Sequence, residues 1–212
     1  VVACVLGVLI LLVEAEKDRA TADLRNRVEN HVLGIATKLD AEFDAAQVLT
    51  KSMVPVIVSM PEARGMELNA MLRAVYRFGR HIRNIGIAPN NRLTLVFPEQ
   101  GNEGAIGLYY PDVPAQWPAV QRAIETQSAV LAGPVALKQG GTGLISRTPV
   151  YLDDGSYWGI LSIVLDAESL FDAVGLEPNT AGIRLAARGT DATGSAGAGL
   201  GSAWGWRARA AA

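Results

Sequence analysis

The sequence predicts an α+β fold in which a long amino-terminal stalk helix precedes a five-stranded antiparallel sheet with flanking helices. Residues 14–53 contain no proline and favour helix throughout, apart from one glycine. Between residues 85 and 165, five short segments show the apolar alternation that is typical of strands. Amphipathic patterns near 66–78, 115–127 and 167–174 supply the remaining helices. Because half of the 212 residues are apolar, the chain can bury a compact core.

The first thirteen residues carry no charge and favour a membrane environment. Thirteen helical residues span about 20 Å, which is less than the roughly 30 Å hydrocarbon core of a bilayer. We therefore expect residues 1–13 to form part of a transmembrane helix. The apolar region of a signal peptide is the alternative, although no small-residue cleavage site follows it and the chain continues directly into helix-forming sequence at Glu14.

Residues 14–54 form the predicted stalk helix, which carries one row of apolar side chains. Forty residues of helix would extend about 60 Å. The row has steps of three and four residues, and such a stripe must pack against the protein's own domain or against a second copy. We expect both along its length, with a homodimer formed through the stalk helix, and we expect Pro55 and Pro61 to loosen the helix at its end. The stalk row consists of Leu24, Val28, Val32, Ile35, Leu39 and Phe43.

The next part of the chain, residues 55–176, has the element order of a PAS-like domain. A helix near Met66 precedes a β-hairpin whose turn is Pro89-Asn-Asn-Arg92. A helix at about 115–127 and three further strands follow, at Val130–Leu137, Leu144–Tyr151 and Tyr157–Leu165. Such a series builds a five-stranded antiparallel sheet with helices covering one side.

Composition excludes several classes of function. With 19 Lys and Arg against 21 Asp and Glu, the chain lacks the positive charge that nucleic acid requires. One cysteine and two histidines make neither an internal disulfide nor a zinc site of the usual kind. From residue 189 onward the sequence is rich in Gly and Ala without apolar periodicity, so we expect 177–212 to be an incomplete membrane-proximal segment that ends in a poorly ordered tail.

No residue pattern points to catalysis or to a cofactor. The possible bases are His31 on the stalk and His81 beside two arginines, and neither has a nucleophile in a recognisable context. The glycines of 140–143 lack the Lys-Ser/Thr of a phosphate loop, and Asp153-Asp154-Gly155 lacks the other ligands of a calcium loop. We predict no enzyme, no metal and no cofactor.

One strand combines polar and apolar residues in a way that favours ligand binding. Alternation over 144–151 places Leu144, Ser146, Thr148 and Val150 on one face. The residues of the opposite face are Ile145, Arg147, Pro149 and Tyr151. Either face brings a polar group into an apolar layer, where its partner is an internal hydrogen bond or a bound ligand.

A series of short motifs, running in order from about residue 84 to residue 176, resembles the CHASE domain. The motifs are Asn84-Ile-Gly-Ile-Ala-Pro89, Phe97-Pro98, Gly101-Asn-Glu103, Ile106-Gly107, Arg122-Ala123, Val130-Leu-Ala-Gly-Pro134, Gln139-Gly-Gly-Thr-Gly-Leu144, Arg147-Thr-Pro-Val-Tyr151 and Tyr157-Trp-Gly-Ile160. The resemblance implies an extracytoplasmic sensor of a transmembrane receptor, anchored in the inner membrane and facing the periplasm. Such a sensor binds a small organic ligand and signals to a cytoplasmic histidine kinase or diguanylate cyclase.

The resemblance also implies which residues line the pocket. They come from the stretch 107–110 and from the strands at 131–137 and 144–151, and Ser146 approximately matches a pocket hydroxyl of plant cytokinin receptors. Those receptors carry an Asp after the Ile-Gly pair, whereas here the first acid is Asp112, which argues against cytokinin. The alternative function is a structural or dimerisation module with the same fold and no ligand. The expected ligand-binding residues are Tyr109, Tyr110, Leu131, Leu137, Leu144, Ser146, Arg147 and Tyr151.

Overall fold

The computed structural model describes residues 2–61, 66–137 and 140–176, and the expected tail at 177–212 lies outside them. The helices are α1 (Val2–Ser59), α2 (Met66–Phe78), α3 (Trp117–Thr126) and α4 (Ala167–Val174). The strands are β1 (Ile82–Pro89), β2 (Leu95–Phe97), β3 (Val130–Ala136), β4 (Thr142–Tyr151) and β5 (Tyr157–Asp166). Two short 3₁₀ turns lie at Glu103–Ala105 and Tyr110–Asp112. Each predicted helix and strand is therefore present.

The five strands form one antiparallel sheet in the order β2-β1-β5-β4-β3. The predicted hairpin is confirmed, since Ile85 pairs with Phe97 and Ile87 with Leu95. Its turn places Asn90 and Asn91 in the left-handed region, with φ of 51° and 65°, which asparagine tolerates better than most residues. The last three strands form a meander, and β1 pairs with β5. This pairing places β5 at the centre of the sheet.

Helix α1 continues through Pro55 to Ser59, so the expectation that Pro55 loosens the helix is wrong. Pro55 is exposed, whereas Met53 and Ile57 on either side of it are each only 1% exposed in the core. Burial of two such side chains contributes about 3–6 kcal/mol, which offsets the roughly 3 kcal/mol cost of an interior proline. Tertiary packing therefore overrides the local signal.

Both faces of the sheet are covered, although the sequence led us to expect helices on one side only. The face toward α1, α2 and α4, here called the stalk-helix face, packs apolar side chains of β1, β4 and β5 against those helices. The opposite face, here called the cavity face, is covered by α3 and by the segment with the 3₁₀ turns. Strands β4 and β5 are buried along nearly their whole length because both of their faces are covered.

The stalk row divides into a buried part and an exposed part. Ile35, Leu39 and Phe43 are at most 4% exposed against the domain, whereas Leu24 is 62% exposed. Every side chain from 11 to 27 is exposed, and Val28 and Val32 are half-buried. Packing of the row on its own domain is confirmed for the carboxyl-terminal half. In the described part of the chain, none of the helices has an apolar stretch long enough to span a bilayer.

Candidate functional site

Two cavities that share one wall residue lie on the cavity face of the sheet. The first, of about 40 Å³, is surrounded by β1, β5 and the 3₁₀ segment, and the second, of about 140 Å³, lies between the start of α3 and strands β3 and β4. Gln116 lines both of them. Because a water molecule needs about 10–15 Å³, the first cavity has room for a few waters and the second for a larger group.

The first cavity combines an apolar wall with four polar side chains. Its apolar lining comes from Leu93, Ala105, Leu108, Leu137, Ile145 and Val164, and its polar lining from Asn84, Tyr110, Gln116 and Ser162. The Tyr110 hydroxyl lies 3.5 Å from Ser162 Oγ, and Ser162 Oγ donates to the Gly86 carbonyl at 3.3 Å. Asn84 Nδ2 donates to Asn102 Oδ1 at 2.7 Å. These contacts fix the directions of the Asn84, Tyr110 and Ser162 side chains.

Arg147 is the largest side chain below 2% exposure, at 1%. It lies on β4 opposite Val130 of β3 and Ser162 of β5, and it lines the second cavity. Its Nη2 donates to Gln116 Oε1 at 2.7 Å, and its Cζ lies 5.7 Å from the centre of the Tyr110 ring. Since arginine stays protonated, β4 places a fixed positive charge inside the domain, next to a neutral amide and an aromatic face.

The structure brings three of the expected ligand-binding residues to the cavities. Tyr110 and Leu137 line the first cavity, and Arg147 lines the second. Tyr109 instead lies under Arg92, whose Cζ is 4.7 Å from its ring centre. The Tyr151 hydroxyl donates to the Ile124 carbonyl at 2.8 Å, which ties β4 to α3.

Tyr151 also packs edge-on against Tyr157, with ring centres 5.6 Å apart. Burial, and to a lesser extent the neighbouring Tyr151, raises the pKa of the Tyr157 phenol. The Tyr157 hydroxyl donates to Asn91 Oδ1 at 2.6 Å. These contacts are those of a packed aromatic pair, and Tyr151 lines neither of the two cavities.

Leu131, Leu144 and Ser146 lie on the stalk-helix face, on the other side of the sheet from the cavities. Leu144 pairs with Leu165 and Ser146 with Ile163, and both partners belong to the core against α1. Leu131 pairs with Ser146 and packs against the same core. These three residues and Arg147 therefore lie on opposite faces of the sheet, because successive strand residues point to opposite faces.

The expected ligand-binding residues did not include the polar side chains of Asn84, Gln116 and Ser162, which line the first cavity. Asn84 and Ser162 interrupt otherwise apolar strands, so the test applied to residues 144–151 would have found them. Gln116 precedes α3 in a loop, and no periodic signal marks it. No group of three or more His, Cys, Asp or Glu side chains suited to a metal occurs in the part of the chain that the structure describes.

The five-stranded antiparallel sheet with helices on both faces has a PAS-like fold, and solved structures share this fold. The GABA-bound ligand-binding domain of the Pseudomonas aeruginosa PAO1 amino acid chemoreceptor PctC matches with a TM-score of 0.60 at 11% identity, over 82% of this chain and 77% of that one. The E. coli DcuS sensor domain matches with a TM-score of 0.50 at 15% identity, over 66% and 98%.

An extracellular ligand binding receptor from Desulfohalobium retbaense matches with a TM-score of 0.58 at 19% identity, over 68% of this chain. The match spans only 26% of that receptor's length. At these identities the likeness shows the fold alone. No curated protein matches the sequence significantly. The family model of the CHASE domain matches residues 45–200, which is well over half of the chain, and the chain therefore belongs to the CHASE domain family.

Proposed function

We propose that this chain is the extracytoplasmic sensing domain of a membrane receptor and that a small organic molecule binds on its cavity face. The observation that carries the proposal is the pair of cavities that share Gln116 as a lining residue, because their walls combine apolar surface with a few fixed polar groups. That combination is typical of small-molecule sites. The PctC domain, which has a similar fold, was solved with GABA, a small organic molecule.

Five polar side chains have the proposed binding role. Arg147 and Gln116 act at the wall between the two cavities, where the Arg147–Gln116 hydrogen bond holds both. Tyr110, Ser162 and Asn84 supply hydroxyl and amide groups in the first cavity. Leu137 adds apolar surface there. Tyr109 and Tyr151 support the walls through their own contacts instead of touching the ligand.

Strand β4 is the proposed route from the ligand to the stalk. Arg147 points to the cavity face, while its neighbours Ser146 and Thr148 point to the stalk-helix face, where α1 contacts β4 and β5. A ligand that displaces Arg147 therefore also displaces residues packed against α1. The shift would pass along α1 to a membrane-embedded start within residues 1–13 and to an output module, in a homodimer formed through the exposed half of the stalk row.

Thermal denaturation with added metabolites tests the binding proposal. A ligand at about 100 times its Kd stabilises the folded state by about 2.7 kcal/mol, which raises Tm by roughly 5–10 °C for a chain of this size. We expect at least one compound among L-amino acids, organic acids, their amides and polyamines to produce such a rise. Unchanged Tm values for the whole panel would support the structural module instead.

A cavity-filling variant locates the binding. Ala119 is 8% exposed and lines the second cavity from α3, so Ala119→Leu places three more carbons in that space. The variant should lose the response to the ligand while keeping its own folding transition. Gln121→Leu is the matched control, because Gln121 is exposed on the same helix. A full response in Ala119→Leu would contradict the proposed location.

A further inference from the structure

We propose that the ligand is a small carboxylate whose negative group enters the second cavity and binds Arg147; this rests on the proposed binding function and specifies its ligand class. Among the described residues that line either cavity, the charged side chains are Arg122 and Arg147, and the lining contains no Asp or Glu. Both charges are therefore positive. A cationic ligand would be repelled by this lining, whereas an anion would be attracted.

The burial of Arg147 strengthens the attraction between its positive charge and an anion. At 1% exposure the guanidinium is shielded from bulk water, and charges interact more strongly where the effective dielectric constant is low. Its Nη2 donates to the neutral amide oxygen of Gln116 and its Cζ lies 5.7 Å from the centre of the Tyr110 ring, and neither of these two contacts cancels the positive charge. The planar donor fork of arginine matches the two oxygens of a carboxylate.

The amino terminus of α3 also favours an anion in the second cavity. Pro118 and Ala119 of its first turn line the second cavity, and that turn contains no acidic residue. The amino terminus of a ten-residue helix carries a partial positive charge, which favours an anion close to it. The helix end and Arg147 therefore act on the same 140 Å³ space from opposite walls.

The first cavity indicates the chemistry of the rest of the ligand. Tyr110, Ser162 and Asn84 are uncharged hydrogen-bonding groups that line the first cavity, whereas Arg122 and Arg147 line the second. A ligand that extends past Gln116 would meet them and the surrounding apolar wall. The fitting class is a carboxylate with a short body that is apolar or carries an uncharged polar group.

Matched pairs of acid and amide test the charge class on the wild-type chain. The probes are the straight-chain mono- and dicarboxylates from acetate to adipate, benzoate, the amide of each acid, inorganic phosphate and putrescine. We expect one or more carboxylates to raise Tm and their amides to have no effect. Amides or putrescine acting as well as the acids would overturn the carboxylate proposal while leaving the binding function intact. A response to phosphate alone would also overturn it. No response to any probe would refute the carboxylate proposal, and the binding function would then be decided by the metabolite panel described above.

Two variants test whether the Arg147 guanidinium binds the active carboxylate. Arg147→Gln should bind the active carboxylate about 10- to 100-fold more weakly, the range for loss of a charged hydrogen bond. Arg147→Lys keeps the charge but loses the fork and should retain partial affinity, so it serves as a second test if Arg147→Gln fails to fold. Undiminished affinity in a folded variant of either kind would contradict the assignment.

Discussion

Arg147 Nη2 donates a 2.7 Å hydrogen bond to Gln116 Oε1, and this bond ties strand β4 to the residue that precedes helix α3. Each of the two residues lines the second cavity, and Gln116 also lines the first. A neutral amide is a suitable partner for the guanidinium in the proposed binding of an anion, because it fixes the direction of the cation without cancelling its charge. A carboxylate at the same position would cancel it.

The carboxylate that Gln116→Glu introduces should therefore compete with the ligand for Arg147. The new carboxylate has nearly the same shape as the amide, and the adjacent Arg147 favours its charged form. We expect Kd for the active carboxylate to rise about tenfold or more, while Tm of the ligand-free protein stays the same or rises. Isothermal titration calorimetry measures the affinity. Gln121→Glu, at an exposed position of α3, adds the same charge and should leave Kd unchanged; equal Kd values for the two variants would contradict the competition.

Gly86→Ala tests the first cavity by adding a single carbon. A Cβ at Gly86 would lie 2.7 Å from Leu93 Cδ1 and 2.8 Å from Ser162 Oγ, so these neighbours must move. Overpacking of this kind costs about 1–3 kcal/mol, and we expect a Tm lower by roughly 2–10 °C together with a weaker ligand response. Gly104→Ala is the control, because a Cβ there meets nothing within 4 Å. If Gly86→Ala bound ligand as the wild type does, the ligand would not extend into the first cavity.

Local patterns in the sequence predicted the elements well but left the assignment of faces open. Alternation correctly separated Leu144 and Ser146 from Ile145 and Arg147. The alternation did not show which of these two groups of side chains faces α1. The facing group depends on where β1 pairs with the meander. The family resemblance assigned whole strands to the pocket, and so it grouped side chains that lie on opposite sides of the sheet.

Tertiary packing decided the features that the sequence did not predict. Gln116 lines both cavities because α3 packs against β3 and β4, which brings a loop position next to Arg147. Pro55 stays helical because Met53 and Ile57 are buried around it. In each case the controlling contact joins residues far apart in the chain, and a local pattern carries no signal of it.

Thr148→Val should stabilise the domain. Thr148 Oγ1 is buried on the stalk-helix face and has no hydrogen-bond partner within the described residues. An unsatisfied buried hydroxyl costs about 1–3 kcal/mol, and valine has nearly the same shape without the polar atom. We expect urea denaturation to show an increase in the free energy of unfolding of about 1 kcal/mol or more.

Thr50→Val provides the matched comparison for this substitution. Thr50 is also fully buried, but its Oγ1 donates to the Ala46 carbonyl at 2.8 Å. Removal of this bond should lower the free energy of unfolding by about 0.5–1.5 kcal/mol. The two substitutions are chemically identical, so their opposite signs would isolate the effect of the hydrogen bond. A loss of stability in Thr148→Val would show that its hydroxyl has a partner in solution.

The exposed half of the stalk row supplies a surface for the proposed homodimer. Leu24 continues the row that buries Ile35 and Leu39 farther along α1, yet it is 62% exposed. Leu33 is equally exposed at 64%, but it lies about 160° around the helix from Ile35. These two leucines have the same side chain and the same exposure, and they differ in which side of α1 they occupy.

Leu24→Asp should dissociate the dimer, whereas Leu33→Asp should not. Loss of a buried leucine in each copy removes about 3 kcal/mol or more, which weakens association more than 100-fold, and a charge in the contact adds to the loss. Sedimentation equilibrium of the two variants and the wild type measures the association constant directly. Because neither side chain packs against the domain, both variants should keep the wild-type Tm at concentrations where all three are monomeric. Equal association constants for Leu24→Asp and the wild type would show that any self-association uses another surface of the chain. The proposed signal from β4 could then not depend on contacts between two stalk rows.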